Sequence, residues 1–348
     1  MEKKNRAAKI MRIIMPIVAI ISAIIFVPWD IVGVWIAPLP RIVQQQVKNA
    51  VRGDLDGIIV YVDQAGEEPA FYAAGWKDKI NEIPADPHAL FKTASISKLY
   101  IAAATAKLVN DGRLSLDEPL ADYLPEYVGR IENAEQITLR MLLQHRSGIP
   151  NFTDAADWNW FASHKDNDKA LKLVLDAPAN FQPDTRYQYS NTNYLLIGKI
   201  LDNTLGYSHE EFILNEIVVP LGLTNTYSFL SDVEMSDVAS GYWYEYDDDL
   251  KYFEYRIPGG SMVATAEDVG IFLRALNDGS LLNEEEQAIY SSIYNYEHTG
   301  WLPGYYSIAR YLADIDAVVI QFVSNTGGNS LGIANTVYNR IVRILRRQ

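Results

Sequence analysis

Not one cysteine occurs among the 348 residues, which excludes a disulfide scaffold, a thiolate zinc site, a catalytic thiol and a lipidated N-terminal cysteine. Positive charge is scarce too: 30 Lys+Arg stand against 44 Asp+Glu, a formal net charge of −14. A protein that neutralises phosphates needs a basic face, so nucleic acid is excluded as a partner. The five histidines, at 88, 145, 164, 209 and 298, form no H-E-x-x-H or H-x-H arrangement, and no metal site is expected. G-x-S-x-G, G-x-x-x-x-G-K-[ST] and a convincing G-x-G-x-x-G are also missing, which removes α/β-hydrolases, P-loop enzymes and simple dinucleotide binders. Repeats and low-complexity tracts are absent. What remains is an ordinary globular composition, 49% hydrophobic and 21% charged, long enough to bury a sizeable core in one large domain or two interleaved ones.

A long apolar run occurs near the N-terminus. From Ile13 to Ala37 the chain is broken only by Ser22, Asp30, Pro16 and Pro28, and Lys3, Lys4, Arg6, Lys9 and Arg12 precede or border it. This asymmetry reads as an export signal that keeps the extreme N-terminus in the cytoplasm and sends the rest across. The dense stretch Ile13 to Val27 is extended by Trp29, Ile31 to Val34 and Trp35, and no small-x-small cleavage site follows. Residues 1–37 are therefore expected to remain as a single-pass transmembrane anchor in the cell membrane, with the remainder on the extracytoplasmic side; cleavage would make the protein secreted. Without them the chain holds 25 basic and 42 acidic residues and is more acidic still.

After a linker at 38–56, two apolar runs, Gly57 to Val62 and Ala70 to Trp76, read as a hairpin. A second pair, Tyr305 to Ala313 and Ala317 to Ser324, turns around Asp314-Ile315-Asp316. Leu331 to Arg347 then carries Ile333, Val337, Ile341, Ile344 and Leu345 at helical spacing, and its arginines, Arg340 among them, suit a helix C-terminus. Helical patterns cover Ile101 to Asn110, Leu139 to Gln144, Ala170 to Leu175, Tyr194 to Thr204 and Ala266 to Asn277. The fold class is thus α+β: an antiparallel sheet flanked by helices, built from about 57–98 and 286–348, with an all-helical lobe inserted at about 99–285.

Chemistry concentrates first in Phe91-Lys92-Thr93-Ala94-Ser95-Ile96-Ser97-Lys98, at the start of an alanine-rich helix. Ser95 and Lys98 are three apart and share a face, so the amine can reach the hydroxyl. A hydroxyl needs a neighbouring base, and a lysine must be held partly neutral to serve as one. The helix start also offers N–H groups to a developing oxyanion. Alone, S-x-x-K occurs by chance in a chain of this length. Its company gives it meaning: Tyr189-Ser190-Asn191 is the only Y-x-N, and His298-Thr299-Gly300 is the only [KH]-T-G.

This order and spacing resemble the S-x-x-K serine hydrolases that include class C β-lactamases, penicillin-binding D-alanyl-D-alanine peptidases and related esterases. Connecting segments share the likeness: Leu114 to Leu120 with Tyr123-Leu124-Pro125, Ile137 to Pro150, Gln188 to Tyr194, Pro258-Gly259-Gly260-Ser261 through Asp268, and His298 to Gly304. The resemblance spans roughly residues 50 to 345. It implies that Ser95 is the acylated nucleophile, Lys98 the base or relay and Tyr189 a partner in proton transfer. It further implies that Asn191, His298, Thr299, Gly300 and Trp301 bind substrate, with the Ser95 and Trp301 N–H groups as oxyanion hole. No cofactor is needed. The expected reaction is hydrolysis of an amide or ester through an acyl-enzyme, on a D-amino-acid peptide, a β-lactam or a small ester. A receptor of the same fold that is acylated without turning over is the alternative.

Two departures narrow this. Tyr189-Ser190-Asn191 replaces the S-D-N of class A lactamases, and no glutamate stands in the context of their deacylating base. His298 replaces the usual lysine, and an imidazole mostly neutral at pH 7 holds a carboxylate less firmly, which favours peptidase, amidase or esterase chemistry. His145 reads as structural, a helix-end histidine favoured by the dipole. Packing accounts for Trp158, Trp160 and Phe161 without a ligand; the alternative, for these and for Tyr242, Trp243, Tyr244 and Tyr246, is that they rim the cleft and stack on sugar or acyl groups. Tyr242, Tyr244 and Tyr246 alternate as one face of a strand around Trp243, before a turn at Asp247-Asp248-Asp249.

Overall fold

A computed structural model describes residues 2–52, 55–244, 246 and 248–348, and of residues 2–10 the backbone alone. Its centre is a six-stranded antiparallel sheet of order β3-β2-β1-β10-β9-β8. The strands are β1 (Gly57–Gln64), β2 (Ala70–Asp78), β3 (Ile83–Pro84), β8 (His298–Leu302), β9 (Tyr305–Leu312) and β10 (Ala317–Val323). The two expected hairpins are therefore joined side by side: β1 pairs with β10 from Ile58↔Val323 to Gln64↔Ala317, and chain ends far apart in sequence share one sheet.

Both faces of that sheet are covered, which is why β1 and β10 read as continuous apolar runs and not as alternating ones. On one face Ile58, Val60 and Val319 meet helix α3 (Val43–Ala50) and the C-terminal helix Ser330–Leu345, through Val47, Val337 and Ile341. On the other, Ile59, Tyr61 and Ile320 meet Val269, Phe272 and Leu273 of the Ala266–Asp278 helix and, beyond it, helix α4 (Ser97–Asn110). Ala102, Ala103, Ala104 and Ala106 make α4 thin enough to run through the middle of the molecule, buried from Ser97 to Ala106. It joins sheet and lobe, so the nucleophile helix straddles the boundary expected near residue 98.

The structure departs from expectation in four places. The stretch expected to be a linker contains α3, whose Val43, Gln46, Val47 and Ala50 are buried against the C-terminal helix. The lobe is not all-helical: β5 (Thr226–Tyr227) and β7 (Val263–Ala264) build a small sheet with β4 (Phe91–Lys92), and β6 (Tyr242–Trp243) runs parallel to β11 (Asn325–Thr326). Two-residue ladders are too short to leave a period of two in a sequence. Accordingly the Tyr242, Tyr244, Tyr246 alternation is not one strand face; β6 ends at Trp243, Tyr242 is buried and Tyr244 is exposed. Of the expected turn at 247–249, Asp247 lies outside the described residues.

The fourth departure concerns the N-terminal span. Among the described residues no single helix is long and apolar enough to cross a membrane. The apolar run is split into α1 (Glu2–Phe26) and α2 (Trp29–Ile36), bent by 85°. Pro28 disfavours helical geometry at Val27 and lacks the N–H that would continue the ladder. The side chains of Lys3, Lys4, Arg6 and Lys9 lie outside the described residues, while α1 from Met11 onward is largely exposed.

Helix α2 is fastened to the domain. Arg340, expected only as a cation suited to the helix C-terminus, is 3% exposed and donates to the carbonyls of Trp35, Ala37 and Pro38 and to Gln46 Oε1. Charged donors in neutral-acceptor clusters contribute more than ordinary hydrogen bonds. Arg340→Ala is expected to lower folding stability by about 3 kcal/mol in urea unfolding and to speed proteolysis within 29–42. Unchanged stability and cleavage would show that α2 docks without this clamp.

Candidate active site

Strand β4 delivers the chain into a tight 3-10 turn, Ala94–Ile96, before α4 begins. Ala94 sits at φ 52°, a left-handed conformation that a non-glycine residue adopts only under surrounding constraint. The constraint is visible on both sides: Thr93 Oγ1 donates to Met262 O, Ser307 Oγ donates to Thr93 O, and Ser97 Oγ donates to Ala94 O. Ser95 is thereby held, half-buried, just ahead of α4.

Lys98 follows one turn later and is 1% exposed. Its Nζ lies 3.1 Å from Ser95 Oγ, 3.0 Å from Asn191 Oδ1 and 2.8 Å from Gly259 O. Burial, with no carboxylate in contact, lowers its pKa to about 7. Tyr189, just ahead of the Asn191–Leu205 helix, places its hydroxyl 2.9 Å from the same Ser95 Oγ. Burial raises this phenol to about 12, so it keeps its proton. One oxygen thus touches two groups of opposite bias, an amine close to half neutral near pH 7 and a phenol that stays protonated.

Asn191 is held by its backbone N–H to Asn151 Oδ1 and by Nδ2 to Thr153 Oγ1. Edge strand β8 brings His298, Thr299, Gly300 and Trp301 alongside the Ser95 turn. Gly300 permits this approach: a Cβ there would lie 2.2 Å from Thr93 O and 3.0 Å from Ala94 Cβ. An opening of about 500 Å³ runs past Tyr189, His298, Thr299 and Arg310. A second, of about 340 Å³, runs past His145, Tyr189, Tyr294 and His298.

His298 is buried enough, and near enough to Lys98, to be lowered to about 4. Its Nε2 lies 2.8 Å from the Tyr294 hydroxyl and its Nδ1 contacts Thr299 O. Since Thr299 O can only accept, Nδ1 carries the hydrogen and Nε2 accepts from Tyr294. The ring offers substrate neither a charge nor a spare nitrogen.

His145 departs from its expected rationale. Burial, then Lys98 and His298, lower it to about 3, so it is neutral and gains nothing from a helix dipole. Instead Nδ1 accepts from the Ser190 N–H and the ring lies 4.4 Å from that of Tyr189. It supports the strand-like segment that carries the phenol. Sequence reading also missed Gly259, whose carbonyl holds Lys98. A helix-end histidine and a Pro-Gly-Gly turn advertise neither contact. Gly259 has φ 74°, and a Cβ would lie 2.7 Å from Lys98 Cγ and 2.9 Å from Tyr194 Cδ1. Gly259→Ala is therefore expected to slow acylation at least about tenfold and to destabilise the fold by about 1–3 kcal/mol. Wild-type values for both would mean that this turn does not position the amine.

The aromatic groups assigned to packing do pack, but beside the cleft: Trp160 meets the Trp301 ring edge-on at 5.1 Å, and Trp243 meets it at 6.0 Å.

Comparison with known proteins adds the following. A family model described as Beta-lactamase matches residues 39–294. Protein flp of Staphylococcus aureus (strain COL) is 26% identical over 205 residues, 57% of this chain and 41% of its own length. Penicillin-binding protein 4* of Bacillus subtilis (strain 168) is 28% identical over 193 residues, 53% of this chain and 42% of its own length. The chain spans less than half the length of these curated relatives. A D-amino acid amidase from Ochrobactrum anthropi SV3 has the same fold with a TM-score of 0.78 and 23% identity, over 88% of this chain and 98% of its own. A penicillin binding protein from Bacillus halodurans follows with 0.73 and 22%, over 87% and 98%.

Proposed function

The chain belongs to the Beta-lactamase family, and from that premise we propose that it hydrolyses amides or esters through an acyl-enzyme on Ser95, with D-amino-acid amides and small esters preferred over β-lactams. The observation that carries this reading is the double contact of Ser95 Oγ with Lys98 Nζ and the Tyr189 hydroxyl. When Lys98 is neutral, its two N–H bonds go to Asn191 Oδ1 and Gly259 O, which can only accept, and its lone pair is left for the Ser95 proton. Oγ then attacks the substrate carbonyl. The resulting oxyanion is received by the N–H groups of Ser95 and Trp301. The Tyr189 phenol, which holds its proton to about 12, hands it to the departing amine or alcohol. Water enters next and gives one proton to the Tyr189 phenolate as its hydroxyl attacks the acyl carbon; Lys98 returns the first proton to Ser95 Oγ as that oxygen departs, and the acid is released.

The substrate preference rests on His298. A neutral ring with both nitrogens engaged gives little hold on a substrate carboxylate. Asn191 Nδ2 and the edge of β8 are left to align the substrate amide. The D-amino acid amidase of the same fold is named for such a substrate class. Membrane attachment is part of the proposal as well, through α1, whose apolar residues from Met11 to Phe26 are mostly exposed.

Pre-steady-state kinetics with a D-amino-acid p-nitroanilide, a p-nitrophenyl ester and a chromogenic cephalosporin test the proposal. Sustained turnover of the anilide or ester, with slower cephalosporin acylation, is expected. A stoichiometric burst without steady state on all three would instead identify a receptor.

A further inference from the structure

A cavity of about 770 Å³ lies outside the acyl site, between α2, the turn after β6 and the start of the C-terminal helix. Four aromatic residues line it: Tyr242, Trp243, Tyr244 and Tyr246. Tyr244 is 65% exposed and rests on bare backbone, since a Cβ on Gly328 would lie 3.4 Å from its ring and one on Gly327 3.0 Å from its Cβ. A side chain at either position would press on the ring. Polar groups line it as well. Asp30 Oδ1 accepts from Asn329 Nδ2 at 3.1 Å, and Asp56 Oδ1 accepts from Lys79 Nζ at 2.7 Å. All four side chains line the cavity.

The chemistry of these walls selects a ligand class. Two carboxylates against one ammonium, on a chain of net charge −14, repel phosphates and other anions. The polar wall gives an alkyl chain no matching surface. Aromatic faces lining the same cavity as carboxylate and amide groups suit a molecule with C–H faces and many hydroxyls. We infer that this cavity is a saccharide-binding subsite for a short neutral oligosaccharide, separate from the acyl site yet joined to it along a row of rings. That row is traceable: Tyr246 lies 5.0 Å from Phe161, Phe161 5.8 Å from Trp243, and Trp243 6.0 Å from Trp301 at the cleft. Asp30 belongs to α2, so the docked N-terminal helix completes the subsite.

The subsite does not depend on the acyl chemistry, and its test is independent of it. The full chain is titrated calorimetrically with tri-N-acetylchitotriose and with maltotriose, alongside Tyr244→Ala, Asn329→Ala and Ser95→Ala. Saturable binding of at least one trisaccharide is expected, weakened at least about tenfold by Tyr244→Ala and by Asn329→Ala and unchanged by Ser95→Ala. The first two variants should keep the wild-type circular dichroism and acylation rate on a small ester. No binding of either sugar up to about 10 mM would overturn the inference. So would equal affinities in wild type, Tyr244→Ala and Asn329→Ala.

Discussion

Ser95→Ala is expected to abolish acylation and to lower kcat/KM by at least about 10⁴-fold, leaving the fold intact. The side chain is small and half-buried, so its loss opens little space. Its two partners also retain other support: Lys98 keeps the acceptors Asn191 Oδ1 and Gly259 O, and the Tyr189 ring keeps its packing against His145. An unassisted water in the vacated place lacks the fixed geometry of a hydroxyl on a strained turn, so residual turnover reflects only the oxyanion hole and binding. Steady-state assays on an activated ester, with circular dichroism as control, measure this. Activity within tenfold of wild type would place the nucleophile elsewhere.

Changing Lys98 should have the next largest effect, and its pH dependence carries the sign. Its pKa lies near 7 in the folded protein because burial disfavours the ammonium. Below that value the lone pair is lost to a proton, so the acylation rate should fall about tenfold per pH unit below 7 and level off above it. Tyr189, pushed up to about 12, adds no limb in the ordinary range. Lys98→Arg separates charge from basicity, since a guanidinium keeps the cation but cannot be deprotonated. It should cost about 10³-fold in acylation, with Lys98→Met as the variant that removes the charge as well. An acylation rate in Lys98→Arg near that of wild type, or a profile flat from pH 5 to 8, would show that the amine acts only through its charge.

The long periodic elements were readable before any coordinates. β1 and β10 carry β-branched runs, β2 and β9 carry apolar and aromatic ones, and the terminal helix carries a stripe wide enough to cover a sheet. Their pairing into one sheet followed from both chain ends supplying strands of the same kind. The lobe was only partly legible because β5, β6, β7 and β11 are two-residue ladders held by tertiary packing and leave no period. The break in the apolar N-terminal run was hidden for a different reason. Hydropathy reports composition, whereas the 85° bend falls at one proline and the far end of α2 is docked by an arginine, Arg340, lying about 300 residues away.

The site shows the same division. Spacing within the chain, three residues from Ser95 to Lys98, implied a contact that the helix start supplies. The meeting of Tyr189, Asn191 and β8 with that turn came from family resemblance and not from spacing. The supports were hidden. The Gly259 carbonyl and the His145 nitrogen act through atoms that side-chain type does not reveal. His298 is disarmed by Tyr294, a neighbour outside every motif.

Peptide mass mapping after brief exposure to an activated ester or a penicillin tests the central claim most directly. The added acyl mass should fall on the peptide that contains Ser95, disappear in Ser95→Ala, and form more slowly as pH drops below 7. A covalent adduct on any other residue, or one that persists in Ser95→Ala, would contradict the account.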